Sequence, residues 1–336
     1  MLTWAVLAFA GAGVATIIGS IRLVGLADTL AARTGWGQAF FGAVLFGLVT
    51  SLSGIVMTGA SAAAGNGELA YSNAVGGIAV QTLAIVAADA AYRRVNLEHA
   101  AASAQNLLFG CLLIVLLGTA LLASLGPQVS VLGMHPVSPV MVLLYLGGLR
   151  LIQSQDYPLW RPVRTRETPA DEEHNDHRFS HRGTGSLWAE FVPVALTVTA
   201  GGWAVAWAAA RLVAATGLGA GLVGAVFMGL INALPETVTA ITAVRRGALT
   251  LAIAAVIGGN SLDALNLVIG DAAFRGGSLF HAATQDQLFL ITATLLMTAV
   301  LLGGLLVRQR RGWWRLGFDG ILLIAIYAAT VITLAF

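Results

Sequence analysis

A chain of 336 residues with 57% hydrophobic and only 10% charged residues is too apolar for a water-soluble globule, where about a quarter of residues are charged. With a mean hydropathy of +0.83 it reads as an all-α polytopic membrane protein. The net charge of +2 gives no footing for a nucleic-acid partner, and the single Cys111 excludes an intramolecular disulfide framework and a cysteine metal centre. Cys111 is expected to be a small packing residue.

The N-terminal Met1-Leu2-Thr3-Trp4 lacks a basic n-region, so the first hydrophobic segment is expected to be a retained span rather than a signal peptide. A hydrocarbon layer about 30 Å thick needs about 20 apolar residues per helix. Ten segments qualify, near 3–31, 38–63, 69–92, 104–125, 138–154, 187–210, 219–243, 250–273, 286–306 and 316–335. One long polar stretch, Asp156 to Gly185, separates the fifth from the sixth. It carries Pro158, Pro162 and Pro169 and is expected to be a linker loop. His174, His177 and His181 lie in it beside Asp171, Glu172 and Glu173, and a solvated loop suits them better than a metal cluster. His99, His135 and His281 fall at loop edges and form no evident constellation.

All eighteen basic residues are Arg, as expected of a GC-rich bacterial genome, and they alternate in side. Arg33, Arg93, Arg94, the Arg161 to Arg182 group, Arg245, Arg246 and the Arg308 to Arg315 group follow the odd-numbered spans, whereas the opposite loops hold only Arg211 and Arg275. The positive-inside rule then predicts both termini outside and the linker in the cytoplasm, as expected of a protein of the bacterial inner membrane. Five spans per half is an odd number, so a repeated second half must be inverted.

Repetition is present. Residues 19 to 93 recur 182 positions later without a gap, through pairs such as Thr34 and Thr216, Gly47 and Gly229, Gly65 and Gly247, and Gly76 and Gly258. The expected domains are a first five-helix half, 1–154, the linker 155–185, and a second five-helix half, 186–336. Their repeat cores lie near 36–93 and 218–275. Inverted repeats in an apolar chain mark a secondary transporter with its substrate near mid-membrane, rather than an enzyme.

Ionisable groups at the bilayer centre are costly and therefore functional candidates. Glu236 lies in the seventh segment, Asp263 in the eighth, and Glu190, near the start of the sixth, is an accessory candidate. Asp28, Asp89 and Asp271 are near helix ends, where snorkelling is expected to suffice. Pro235 is expected to break its helix and free backbone groups around Ile231 and Asn232. Asn232 and Glu236, four apart, share a face, and Asn260, Asp263 and Asn266 form a polar stripe. Carboxylates with amide oxygens suit Ca²⁺, Na⁺ or protons. Mutual pairing as structural glue is the alternative, but two acids without a basic partner in the stretch weigh against it.

Gly229 to Glu236, Arg246-Gly247, and Val256-Ile257-Gly258-Gly259-Asn260 through Asp263 resemble the second α-repeat of the Ca²⁺/cation antiporter superfamily, the sodium/calcium exchanger family. Thr50-Ser51-Leu52, Gly65, Glu68-Leu69-Ala70 and Ser72-Asn73-Ala74-Val75-Gly76-Gly77 resemble the first. The resemblance implies ten helices in two inverted repeats. It also implies that Glu236, Asn260 and Asp263 ligate Ca²⁺ and Na⁺ in alternation, with Thr50 and Ser51 contributing from the first repeat. Spans one and six are expected to slide across the core on Gly19, Gly201 and Gly202.

The two copies differ at the ligands. Gly54 stands where the repeat places Glu236, Ile78 matches Asn260, Gln81 matches Asp263 and Ala84 matches Asn266. The expected site is Glu236, Asp263, Asn260, Asn232, Thr50, Ser51 and Gln81, with a formal charge of about −2. The function expected is antiport of Ca²⁺ or another cation against Na⁺ or H⁺ by alternating access. A proton-coupled monovalent cation exchanger and a non-transporting cation sensor are alternatives. No cofactor is expected, and the partners are inorganic cations and the lipid bilayer.

Overall fold

A computed structural model describes residues 2–35, 38–92, 94–101, 103–131, 133–154, 163, 165, 182–214, 229–312 and 316–335. Backbone groups in a bilayer must pair within their own segment, which makes an apolar chain helical. Among the described residues only one isolated bridge, Val131 to Met134, departs from helix and turn in favour of strand pairing.

The first half contains α1 (Leu2–Thr34), α2 (Gln38–Phe41), a π-helical turn (Gly42–Phe46), α3 (Gly47–Ala63), α4 (Gly67–Ala91), α5 (Leu97–Ala100), α6 (Ala104–Leu125) and α7 (Val137–Gln153). The second contains α8 (Thr184–Ala214), α9 (Gly229–Arg245), α10 (Leu249–Asp263), α11 (Asn266–Ala273), a 3₁₀ turn (Leu279–Ala282), α12 (Gln285–Val307) and α13 (Phe318–Ala335). Helix lies in every segment read as a span from sequence. Six described helices are long and apolar enough to cross a membrane, or seven if the bent pair Gly42–Leu52 and Gly54–Ala63 is one span.

The 182-residue offset extends past the sequence repeat to the ends of both halves. The short helix Leu97–Ala100 matches the 3₁₀ turn Leu279–Ala282, and α6 and α7 end where their counterparts α12 and α13 do. Gly65 and Gly247 hold φ of 84° and 83° at equivalent turns, a left-handed conformation that a side chain would strain. His99 bonds the Arg308 carbonyl at 2.8 Å and the equivalent His281 bonds the Gly126 carbonyl at 3.0 Å. The donor and acceptor in each bond are 182 residues from their counterparts.

Two helices form the centre. Within their most apolar windows, Gly67–Ala91 is 78% buried and Leu249–Ala273 83%, against 22% for Phe318–Ala335 on the periphery. Small residues allow the central crossing: a Cβ on Gly47 would sit 2.8 Å from the Gly259 Cα, and one on Gly258 would collide with Ala43. Outside this centre α1 packs along α8. Gly19 there faces Val198, and Gly201 faces Thr16.

Several sequence expectations need correction. Pro235 does not break its helix: α9 runs from Gly229 to Arg245 through it, at the loss of the one backbone bond that Pro235 cannot donate. Interruptions occur elsewhere, as a 46° bend between Leu52 and Gly54 and as a tightened turn at Leu265, whose N–H bonds Leu262 rather than the residue four back. Asp28, Asp89 and Asp271 do not snorkel; all three are buried. Asp271 accepts from His135 N–H at 2.7 Å, Ser138 Oγ at 2.7 Å and Leu279 N–H at 2.9 Å, a set of donors that replaces water. His135 and His281 do form a pair, with ring centroids 5.4 Å apart. Cys111 is exposed rather than packed. The linker histidines His174, His177 and His181 lie outside the described residues.

Candidate cation site

Helices α3, α4, α9 and α10 bring most of the candidate residues together. Thr50 and Ser51 come from α3 just before its bend, Gln81 from α4, Glu236 from α9, and Asn260 and Asp263 from the last turn of α10. All six are buried. The backbone of Asn232 lies one turn before Glu236 on α9, while its side chain is outside the described residues.

Each carboxylate is held by an amide. Gln81 Nε2 donates to Glu236 Oε1 at 3.2 Å, and Asn266 Nδ2 donates to Asp263 Oδ1 at 3.0 Å. Thr50 faces Glu236, while Ser51 and Gln81 face Asp263. Asn260 Nδ2 donates to Thr82 Oγ1 at 3.0 Å, and Asn73 Nδ2 donates to Thr58 Oγ1 at 2.9 Å. These bonds consume nitrogen donors and leave oxygens over. Ser51 Oγ, Gln81 Oε1, Glu236 Oε2, Thr239 Oγ1, Asn260 Oδ1 and Asn266 Oδ1 are buried without a hydrogen-bond partner.

Buried polar atoms are normally satisfied, so a concentration of orphaned oxygens in one region calls for a ligand that accepts their lone pairs. A hard cation or a proton does so. Among the described residues no ion pair joins either carboxylate to an Arg. The described residues also hold no group of three or more His, Cys, Asp or Glu side chains arranged for a metal ion. The donor set is thus two carboxylates diluted by amides and hydroxyls, a composition suited to a cation that must also leave.

Glu190, the accessory candidate, belongs to a different structure. It accepts from Arg22 Nε at 2.6 Å and pairs with Arg182, clasping α1 to the start of α8 at a partly exposed position.

The sequence places the chain among known proteins. Residues 4–151 and 186–336 match the family described as sodium/calcium exchanger protein. The chain belongs to this family. The exchanger's fold is similar to solved structures of the sodium-calcium exchanger NCX_Mj. For the one soaked with 2.5 mM Na⁺ and 0.1 mM Sr²⁺, identity is 16%, coverage 99% of each chain and the TM-score 0.70. For the one soaked with 2.5 mM Na⁺ and 0.1 mM Ca²⁺, identity is 16%, coverage 100% of each chain and the TM-score 0.69. Among curated proteins no match is found.

Inside this exchanger the place of Gly54 is explicit. A Cβ there would lie 3.2 Å from Asn266 Nδ2 and 3.9 Å from Asp263 Oδ1. Asn266 thus leans toward the space a first-repeat acid would enter, and its amide supplies Asp263 with a donor. Asn266 was visible as part of a polar stripe but not as a partner of Gly54. Thr82 and Thr58 were missed, because isolated threonines in apolar helices commonly bond their own backbone.

Proposed function

We propose that this exchanger family member carries one divalent cation, or two monovalent ones, per site, between two inverted five-helix halves, 1–154 and 186–336, joined by a cytoplasmic linker, 155–185, with both termini outside. The recurrence of element ends at a 182-residue offset supports two like halves, and the Arg distribution supports their inversion and an inner-membrane orientation. The observation that carries the functional reading is the pair of buried carboxylates, Glu236 and Asp263, among orphaned oxygens and without a basic partner.

A buried site crosses a membrane most cheaply when its charge is balanced. Two carboxylates are balanced by one Ca²⁺, two Na⁺ or two H⁺. Exchange among these is electroneutral, and it takes place by exposing the mid-membrane site to each side in turn. Thr50, Ser51, Gln81, Asn232 and Asn260 complete the oxygen field around the cation.

Purified protein in proteoliposomes tests this. Imposed Na⁺ or pH gradients are expected to drive ⁴⁵Ca²⁺ or ²²Na⁺ counterflow, and Glu236→Gln or Asp263→Asn to abolish it. Unchanged flux in both variants refutes the site. Cation-dependent thermal stabilisation with no flux of any cation would instead support a sensor.

A further inference from the structure

A second set of buried acids lies far from Glu236 and Asp263 in the chain, at the end of the protein where Arg94, Arg308 and Arg310 are found. Asp89 ends α4, Glu98 sits in the short helix α5, and Asp319 opens α13; they are 1%, 4% and 2% exposed. Asp89 is accounted for by backbone donors, Leu97 N–H at 2.6 Å and Gly317 N–H. Glu98 and Asp319 are met only in part, by the backbone N–H of Glu98 and those of Asp319 and Gly320. Their carboxyl groups are within hydrogen-bonding reach of each other, and Glu98 Oε2 and Asp319 Oδ2 find no other partner.

The other half shows what the frame requires without these acids. Shifting by 182 residues turns Asp89, Glu98 and Asp319 into Asp271, Phe280 and Val137. Only the backbone-capping aspartate is common to both. Phe280 instead packs edge-on against His135, with ring centroids 5.5 Å apart. Glu98 and Asp319 are therefore additions to a turn that closes without them, and the protein has made space for one. A Cβ on Gly304 of α12 would collide with the Asp319 carboxyl, and one on Gly317 would meet Asp319 and, at 3.2 Å, Asn96 Nδ2. That buried Asn96 nitrogen also lacks a partner.

The surrounding charges do not neutralise the group. Arg308 donates to the carbonyls of His99, at 2.9 Å, and Val163, at 2.6 Å. Arg310 offers its carbonyl to Asn96 N–H at 3.2 Å, and the His99 ring is bonded to the Arg308 carbonyl and to Thr165 Oγ1. No ion pair joins any Arg to the three acids among the described residues, nor are they arranged to hold a metal ion. Two carboxyl groups that face each other in a buried, unneutralised place need a proton between them.

We propose that Glu98 and Asp319 share one bound proton, forming a proton site separate from the mid-membrane carboxylates, which latches the turn 96–100 onto the start of α13. Burial, followed by the neighbouring Asp89 and Asp319 carboxylates, holds the Glu98 carboxyl well above the usual range. The latch therefore contributes its full stability below the ordinary carboxylate range of the unfolded chain, and that contribution is lost progressively as the pH rises up to the elevated folded-state value. The site makes the Arg-rich end of the exchanger responsive to the pH on that side alone.

The test uses the full-length protein carrying Glu236→Gln and Asp263→Asn, so that the central site contributes nothing and failure of the transport reading leaves the result intact. Infrared spectra at neutral pH are expected to show a protonated-carboxyl stretch that disappears on adding Glu98→Gln. The melting temperature is expected to fall by several degrees as the pH is raised upward from the ordinary carboxylate range, and Glu98→Gln, which keeps the hydrogen bond without titrating, to remove that fall. Asp319→Asn provides the same comparison if Glu98→Gln does not fold. A pH slope and carboxyl band unchanged in both variants overturn the proposal. Stabilisation by Ca²⁺ that Glu98→Gln abolishes also overturns it, showing a divalent-cation site.

Discussion

Restoring a carboxylate at Gly54 tests the charge-balance argument at its weakest point. In Gly54→Glu the new Cβ meets the Asn266 amide at 3.2 Å, the mobile end of a side chain, and the carboxylate enters the region around Asp263, whose Oδ1 lies 3.9 Å from that Cβ. Two like charges about 4 Å apart at an effective dielectric of 20 repel by about 4 kcal/mol. The variant should thus depend more strongly on bound cation for thermal stability than the native chain does. With three carboxylates the balanced load becomes three monovalent ions in one direction against a divalent cation and one unmatched charge in the other. A cycle that moves one net charge gains about 2.3 kcal/mol per 100 mV. At about 1.36 kcal/mol per tenfold, that shifts the limiting Ca²⁺ gradient about 50-fold. Proteoliposomes clamped by a K⁺ gradient and valinomycin provide the assay. The native protein should reach the same Ca²⁺ gradient at every potential, and Gly54→Glu should not. Active Gly54→Glu exchanger that remains indifferent to potential would refute the charge count, with Gly54→Ala controlling for bulk.

Asp271→Ala should destabilise the detergent-solubilised protein by at least about 3 kcal/mol, since it strands three buried donors at about 1–3 kcal/mol each. Asp271→Asn should lose less, because one amide oxygen still accepts; thermal melting distinguishes the two. Gly258→Val should overpack the central crossing against Ala43, with a cost of about 1–3 kcal/mol or more, and reduce folded yield in size-exclusion chromatography.

Helix positions were legible because the membrane leaves one solution to backbone pairing and because apolar length sets each span. The pairs Gly65 with Gly247 and Gly47 with Gly259 were legible only in part. Duplication announced that these glycines recur, but not that Gly47 of the first repeat and Gly259 of the second meet. The acids near helix ends misled for a definite reason. A terminal aspartate snorkels where water is accessible, whereas Asp89 and Asp271 are covered by turns contributed from distant segments, near 317 and 135. Long-range coverage leaves no local mark. Glu236 and Asp263 stood out because two acids in apolar helices are conspicuous without any such knowledge. Their amide partners did not, since nothing in the order of residues tells which carboxylate Gln81 or Asn266 will reach.

Gln81 is where the duplication and the chemistry can be separated. It occupies in the first repeat the place that Asp263 holds in the second, and its amide nitrogen donates to Glu236 at 3.2 Å while its oxygen has no partner. Gln81→Glu adds a carboxylate, as Gly54→Glu does, but replaces the donor to Glu236 with a second acid. Two facing carboxyls retain one proton between them, so the effective charge of the site stays near two. Ca²⁺ exchange by Gln81→Glu should therefore remain insensitive to membrane potential while gaining a steep dependence on pH, falling as the pH drops and the shared proton competes with cation. If instead Gln81→Glu becomes electrogenic with the same pH profile as the native protein, the added acid is ionised, and the Gln81 to Glu236 bond does not set the charge of the site.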